Sequence, residues 1–437
     1  MEEAGSDDRR KLFVTRMPGV IALLLFVPFC QIFMAISQAE AFHSCLNYLS
    51  FALALVAFPP MISRLNRRVV LLCTFGGVIY SLNFLVGPFA SAKWFMNTVG
   101  FLFVFMVVSN YMKTMDCEQL VLIERHLGRL MSVLWFACAC ICVLTLCTHW
   151  AKIAAYTATL RFNNSIYMLT QGYGLQKQAL GPFLGATVLW HGVHWASLRW
   201  VRKIGFVFLM ILSVPFLIGI RTLLLSLALL CLFLLWGSRK VTCVMKLAVF
   251  LLVPLVIVLI VVWGEIDVKA FILHKNARIA PMLFSIDTVR QYPWGLGNGG
   301  YTVFVEPQVT ELFHFYGRRA YGLNQFPLAP ESDIVYFIAS FGLLCPLFCL
   351  FYVYILSTAN HILHFCSLHT FERFVLLFAM ILIFGGISQD FAGKLAWWTY
   401  LGAATGVIFR HCPSSHVAWG VLQALRKHDR HMAMGSA

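Results

Sequence analysis

FVFLMILSVPFLIGI (206–220), LLLSLALLCLFLLW (223–236) and LAVFLLVPLVIVLIVVW (247–263) follow one another with only Arg221-Thr222 and GSRKVTCVMK (237–246) between them. Each run approaches or meets the length that crosses a hydrocarbon core, about 20 apolar residues. The rest of the chain has the same character. Its 437 residues are 60% hydrophobic and 12% charged, and mean hydropathy is +0.80. Soluble domains are nearer 25% charged and cannot bury so much apolar surface. The composition therefore predicts an all-α polytopic membrane protein.

Working outward, spans are expected near 18–38, 46–64, 69–90, 97–112, 130–149, 182–197, 206–220, 222–237, 244–263, 333–357, 374–389 and 396–410. About twelve transmembrane helices put both termini on one side. The chain divides into helices one to nine (1–264, with an outer loop near 150–181), a long polar loop (265–332), helices ten to twelve (333–410) and a basic tail (411–437). Most Lys and Arg residues of the short loops fall on the side that holds the termini, which predicts cytoplasmic termini. The two long loops then face outward. The tail, HVAWGVLQALRKHDRH (416–431), is suited to lie on an anionic inner leaflet.

Net charge is +15. In a membrane protein such charge fixes loop orientation, and no nucleic-acid signature accompanies it, so no nucleic-acid partner is expected. The 14 cysteines form no paired Cys-x-x-Cys spacing and sit mostly in apolar spans, where cysteine behaves as a small hydrophobe. No metal-ligand cluster is evident.

The 265–332 loop is where chemistry is expected, because a polar excursion of that length between spans seldom serves only as a connector. Arg278 and Arg290 flank a helix-like segment, ARIAPMLFSIDTVRQYP (277–293), and Arg318 and Arg319 follow in GRRAYG (317–322). Arginine suits phosphate because its planar fork grips two oxygens and stays charged. Arg221 lies between two apolar runs; it is either a functional intramembrane charge or an arginine snorkelling to the headgroups. GLGNGG (295–300) lacks a following Lys-Ser or Lys-Thr and reads as a tight backbone turn rather than a nucleotide loop. Glu331, in APESDIVYF (329–337) with Asp333 two residues on, is either a helix-capping acid or a general base at the membrane surface. Trp294, His314, Tyr316 and Tyr321 could stack on sugar rings, or anchor the interface. His191 and His194 share a helix face, with no carboxylate partner expected. Loop 150–181, carrying Arg161, is expected to fold over the same outer cavity.

Arg221, Arg278 and Glu331 with their surroundings resemble the O-antigen ligase and polymerase superfamily of bacterial envelope glycosyltransferases. The resemblance covers about residues 205–357. It rests on a span opening with arginine (Arg221), an arginine about fifteen residues ahead of Pro-x-Gly-x-Gly (Arg278, then Pro293-Trp294-Gly295-Leu296-Gly297), and a polar residue eleven positions before a glycine (Glu331, Gly342). Arg161 and Gly172 have a spacing similar to one in polymerase loops. Ligases of that family usually carry His-Asn where this chain has Glu331-Ser332, a departure that favours a polymerase.

The resemblance implies a GT-C-like membrane glycosyltransferase of the bacterial inner membrane. It would polymerise undecaprenyl-pyrophosphate-linked repeat units at the periplasmic face, without metal or cofactor and with inversion. The product class would be O-antigen, capsule or exopolysaccharide. It implies Glu331 as the catalytic residue and Arg221, Arg278, Arg290, Arg318 and Arg319 on the pyrophosphate. Trp294, His314, Tyr316, Tyr321 and Arg161 would contact glycan. A chain-length regulator and a flippase are the implied membrane partners. The alternatives are a ligase moving glycan to lipid A-core or protein and, third, a flippase or transporter of lipid-linked sugar.

Overall fold

The structure, a computed structural model, describes residues 17–32, 39–158, 177–201, 203–207, 221–237, 276–316, 330, 332–386 and 394–412. Among the described residues it is helical and has no strand. The main elements are α1 (17–26), α2 (Ala39–Ala57), α3 (Arg67–Val86), α4 (Ala92–Thr114), α5 (Cys117–Ala158), α6 (Lys177–Val193) and α7 (Arg221–Gly237). Three helices follow in the polar loop: α8 (Asn276–Gln291), α9 (Gly300–Val305) and α10 (Val309–Tyr316). The last four are α11 (Asp333–Phe341), α12 (Cys345–Phe365), α13 (Thr370–Gly386) and α14 (Leu395–His411). Expected spans 206–220 and 244–263 fall almost wholly outside the described residues.

Four apolar stretches have the length and composition to cross a membrane: Arg67–Val86, Ala92–Thr114, Cys117–Lys152 and, counted through a turn at Gly342, Asp333–Phe365. Their surfaces agree with a lipid environment. On α3, Leu71, Phe75, Val78, Leu82 and Leu85 are all exposed, Leu85 by 78%. Their spacing of three and four residues puts them in one stripe. In water so long an apolar stripe would be an aggregation surface; in lipid it costs nothing. The protein is membrane-embedded.

The core is organised on α13. From Phe374 to Gly386 all but one residue are buried, as expected of a helix that is apolar on every side. Phe374 and Phe378 stack at 5.9 Å, and Tyr400 of α14 meets Phe378 edge-on at 4.6 Å. The closest helix pair is α4 with α14. Gly402 and Gly406, four residues apart, lay the α14 backbone on α4: a Cβ on Gly402 would stand 2.9 Å from the Phe105 carbonyl oxygen, and one on Gly406 would overlap that of Ser109. Ser109 Oγ donates to the Gly402 carbonyl at 2.7 Å. Small residues at this spacing are how helices approach without a hydrophobic drive between them.

Two expectations change in detail. Residues 117–129, expected as a loop, belong to α5, which continues to Ala158 with a break in helical geometry at His149. The expected single span 333–357 is a hairpin. In a straight helix Asp333 and Tyr352 would lie on the order of 28 Å apart, yet the Tyr352 hydroxyl donates to Asp333 Oδ2 at 2.5 Å. Phe337 stacks on Phe348 at 4.5 Å and Phe341 lies 4.6 Å from the same ring. The chain reverses at Gly342 (φ 53°), where a Cβ would overlap the Pro293 carbonyl oxygen.

Candidate functional site

The hairpin has its own logic. Ser332 caps α11, its hydroxyl accepting from Val335 N at 3.3 Å. α11 is amphipathic in two directions. Tyr336, Phe337 and Phe341 face the main core, whereas Val335 and Ala339 join Phe284, Tyr301, Val305 and Leu312 of the loop helices in a second small core. The polar excursion is thus folded onto α11.

Where α11 ends, Ala339 and Ser340 have carbonyls without helical partners. The glycine loop fills that gap. Leu296 N donates to Ala339 O at 2.8 Å, Gly297 N to Ser340 O at 3.2 Å, and Leu343 N returns to Pro293 O at 2.9 Å. Asn83 of α3 donates its side-chain amide to Ser340 O at 2.6 Å. On the other flank Phe89 N and Ser91 N donate to Leu296 O and Asn298 O. Asn298, fully buried, donates to Thr98 Oγ1 at 2.7 Å and accepts from the Tyr336 hydroxyl at 2.5 Å. Gly297 (φ 96°) has no room for a side chain, since a Cβ would be 2.6 Å from Ala90. The GLGNGG stretch is a tight backbone turn, as its sequence suggested, and it serves as a structural clasp, with the amides of Leu296 and Gly297 already committed to protein carbonyls.

At the other end of α11, Asp333 is fully buried. Beyond the bond from Tyr352, the Trp397 indole N–H donates to the Tyr352 oxygen at 2.8 Å. Gly386, at the end of α13, touches the carboxylate so closely that a Cβ there would overlap it. The start of α11, Tyr352 of α12 and the end of α13 therefore converge on one acid, with Trp397 of α14 behind Tyr352. Sequence reading noted Asp333 but missed Tyr352, Trp397 and Gly386. The available signal was an acid inside an apolar stretch with a glycine nine residues on.

The expected site residues are distributed as follows. Arg221 opens α7 and Arg278 lies in the first turn of α8; their side chains fall outside the described atoms, as does that of Tyr316 at the end of α10. Arg161, Arg318, Arg319, Tyr321 and Glu331 lie outside the described residues. Arg290 is exposed and pairs with Asp287 one helical turn earlier, at 3.2 Å. Trp294 is 53% exposed, and its carbonyl accepts from Asn83 at 3.3 Å. His314 is exposed on α10. The two glycine motifs 293–297 and Gly342, far apart in sequence, are in contact.

A second polar cluster lies at the opposite end of the bundle. Glu372, buried in the first turn of α13 ahead of its apolar run, pairs with His411 at 3.2 Å and Arg410 at 3.4 Å. It also accepts from the His369 amide at 3.1 Å. Burial alone would push this carboxyl up. The hydrogen bonds from His411 and the His369 amide, with the charges of His411 and Arg410, outweigh burial and hold it below its ordinary value. Glu124 of α5 lies 3.0 Å from His194 and 3.5 Å from His369. His194 therefore has the carboxylate partner the sequence reading did not expect, while His191 bonds the Thr187 carbonyl at 2.8 Å and stacks on Phe206 at 4.5 Å.

Comparison with family models, curated proteins and solved structures returns no match.

Proposed function

We propose that the protein is an inner-membrane polymerase of undecaprenyl-pyrophosphate-linked glycan repeat units, working at its periplasmic face. The observation that carries this reading is the α11–α12 hairpin. It holds Asp333 inside the bundle, two residues from Glu331, and its turn at Gly342 is clasped by Pro293–Gly297. These are the same motifs on which the resemblance rests.

In the proposed reaction Glu331 takes the proton of the acceptor sugar hydroxyl. The hydroxyl oxygen bonds to the anomeric carbon of the donor glycan from the far side. The anomeric carbon–phosphate oxygen bond breaks, and the lipid pyrophosphate leaves with the electron pair. Arg221 and Arg278 hold that pyrophosphate, with Arg290, Arg318 and Arg319 as auxiliaries. Preorganised charge of this kind is commonly worth about 3 kcal/mol for each donor removed. Both substrates are tethered by lipid, so a lateral cavity at the outer leaflet brings their reacting ends together. Trp294, His314, Tyr316, Tyr321 and Arg161 are positioned in sequence to contact glycan.

Reconstituted protein with lipid-linked repeat alone should lengthen the glycan, and Arg278→Ala or Arg221→Ala should abolish turnover with folded yield retained. A ligase would give no product until lipid A-core or a protein acceptor is added. A translocator of lipid-linked sugar is the third reading, for which the reversed chain with an acid buried at the start of α11 is the favouring observation. It requires movement of labelled lipid across liposomes that persists in Glu331→Gln.

A further inference from the structure

At the end of the bundle away from the glycine clasp, α3 starts in a cationic corner. The Asn66 side chain accepts from Arg68 N at 3.1 Å, and Asn66 N donates to Asn110 Oδ1 at 2.6 Å. These bonds pin the start of α3 to the last turns of α4. Arg68 is thereby within electrostatic reach of Lys113 on α4 and Tyr354 on α12, and Arg64 within reach of Tyr111. Among the described residues, none of Arg64, Arg67, Arg68 and Lys113 forms an ion pair. The nearest acid in sequence, Asp116, caps α5 by accepting from Gln119 N at 2.8 Å.

One of these cations meets apolar surface directly. Arg67 is exposed and stands one turn before Leu71, on the face that carries the exposed stripe Leu71, Phe75, Val78 and Leu82. Like charges held together by a pinned backbone repel one another, and the start of a helix adds a partial positive charge. An anion at this corner relieves both, and the adjoining stripe offers apolar surface on the order of 16 Å long on which chains can lie.

We propose that Arg64, Arg67, Arg68 and Lys113 bind the headgroup phosphate of an anionic phospholipid whose chains lie along the α3 stripe. A soluble anion would use the cations and leave the stripe unused. A zwitterionic lipid would use the stripe and carry a compensating cation of its own into the corner.

The test uses the full chain, purified in a neutral detergent and titrated with phosphatidylglycerol or phosphatidylcholine. Retained lipid is read by native mass spectrometry and Tm by intrinsic fluorescence. Phosphatidylglycerol should be retained and should raise Tm, and phosphatidylcholine should do neither. The pair Arg67→Gln and Arg68→Gln should weaken phosphatidylglycerol retention on the order of tenfold, from the loss of two cations at the surface. The corresponding lysine pair should keep most of it. Lys113→Gln, on a different helix, should weaken retention in the same direction if the double variant gives no folded protein. Equal retention of the two lipids, unchanged retention in both sets of variants, or the same Tm rise from inorganic phosphate in lipid-free micelles would overturn the proposal.

Discussion

The two ends of the bundle handle buried polarity in opposite ways. At the clasp, irregular backbone is the difficulty: the hairpin turn exposes carbonyls, and the glycine loop and Asn83 satisfy them. At the far end the helices finish regularly, and polarity is carried by Glu124, Glu372, Arg410 and the histidines paired between helices. Backbone bonds of the first kind tolerate no added atom, because partner and donor are both fixed. Side-chain pairs of the second kind tolerate substitution but answer to pH. Function is expected where the backbone is irregular, since non-helical chain at membrane depth persists only where it is enclosed or lines a cavity.

Substitutions can break this contrast, and the largest effect belongs to the clasp. Gly342→Val forces a branched side chain into a positive-φ turn and onto the Pro293 carbonyl. We expect at least about 3 kcal/mol of destabilisation from strain and overlap together, read as loss of folded yield in detergent. A normal melting curve for this variant would mean that the turn is not packed as described.

Next comes Glu372→Gln at the far end, at about 1–2 kcal/mol, the cost of breaking a buried pair discounted for its partly exposed partners. Its pH signature matters more than its size. The folded carboxyl lies below its ordinary value, so its contribution is complete above the unfolded value of about 4.3 and is lost as pH falls through the folded one. Wild-type Tm should therefore drop at acid pH with a slope that Glu372→Gln lacks. Equal slopes would remove Glu372 from the account.

Tyr352→Phe should cost about 1–2 kcal/mol, since it leaves the Asp333 carboxylate and the Trp397 indole each short of a bond. In the proposed reaction it should also lower kcat more than KM, through a looser α11. Arg290→Ala should be the mildest, within about 0.5 kcal/mol, because its pair with Asp287 is exposed. A large loss of activity with unchanged Tm in that variant would promote Arg290 from auxiliary to essential pyrophosphate ligand.

Much of the fold was legible because apolar length is a one-dimensional signal. The starts of α3, α11, α13 and α14 fall within a few residues of their expected positions, and the turn at 295–300 was recognisable from its glycines. What sequence could not give was direction. Asp333–Phe365 has the length of a tilted span, and nothing local distinguishes a kink at Gly342 from a full reversal. That is decided by Phe337 meeting Phe348 and by the clasp from residues 293–297, contacts between distant positions. Asp333 was visible as an acid, but Tyr352 and Trp397 were hidden among the many aromatics of the spans. His194 was misjudged for the same reason: its partner, Glu124, is 70 positions away on another helix.

The reversal of the chain at Gly342 is the claim on which the buried acid and its neighbours depend. It is tested by introducing Phe337→Cys and Phe348→Cys together in a background with the native cysteines replaced, treating membranes with a short bifunctional thiol reagent, and mapping linked peptides by mass spectrometry. The stacked rings at 4.5 Å predict an intramolecular link between the two positions. A straight helix would hold them roughly 16 Å apart, and single adducts at both cysteines with no link between them would contradict the hairpin.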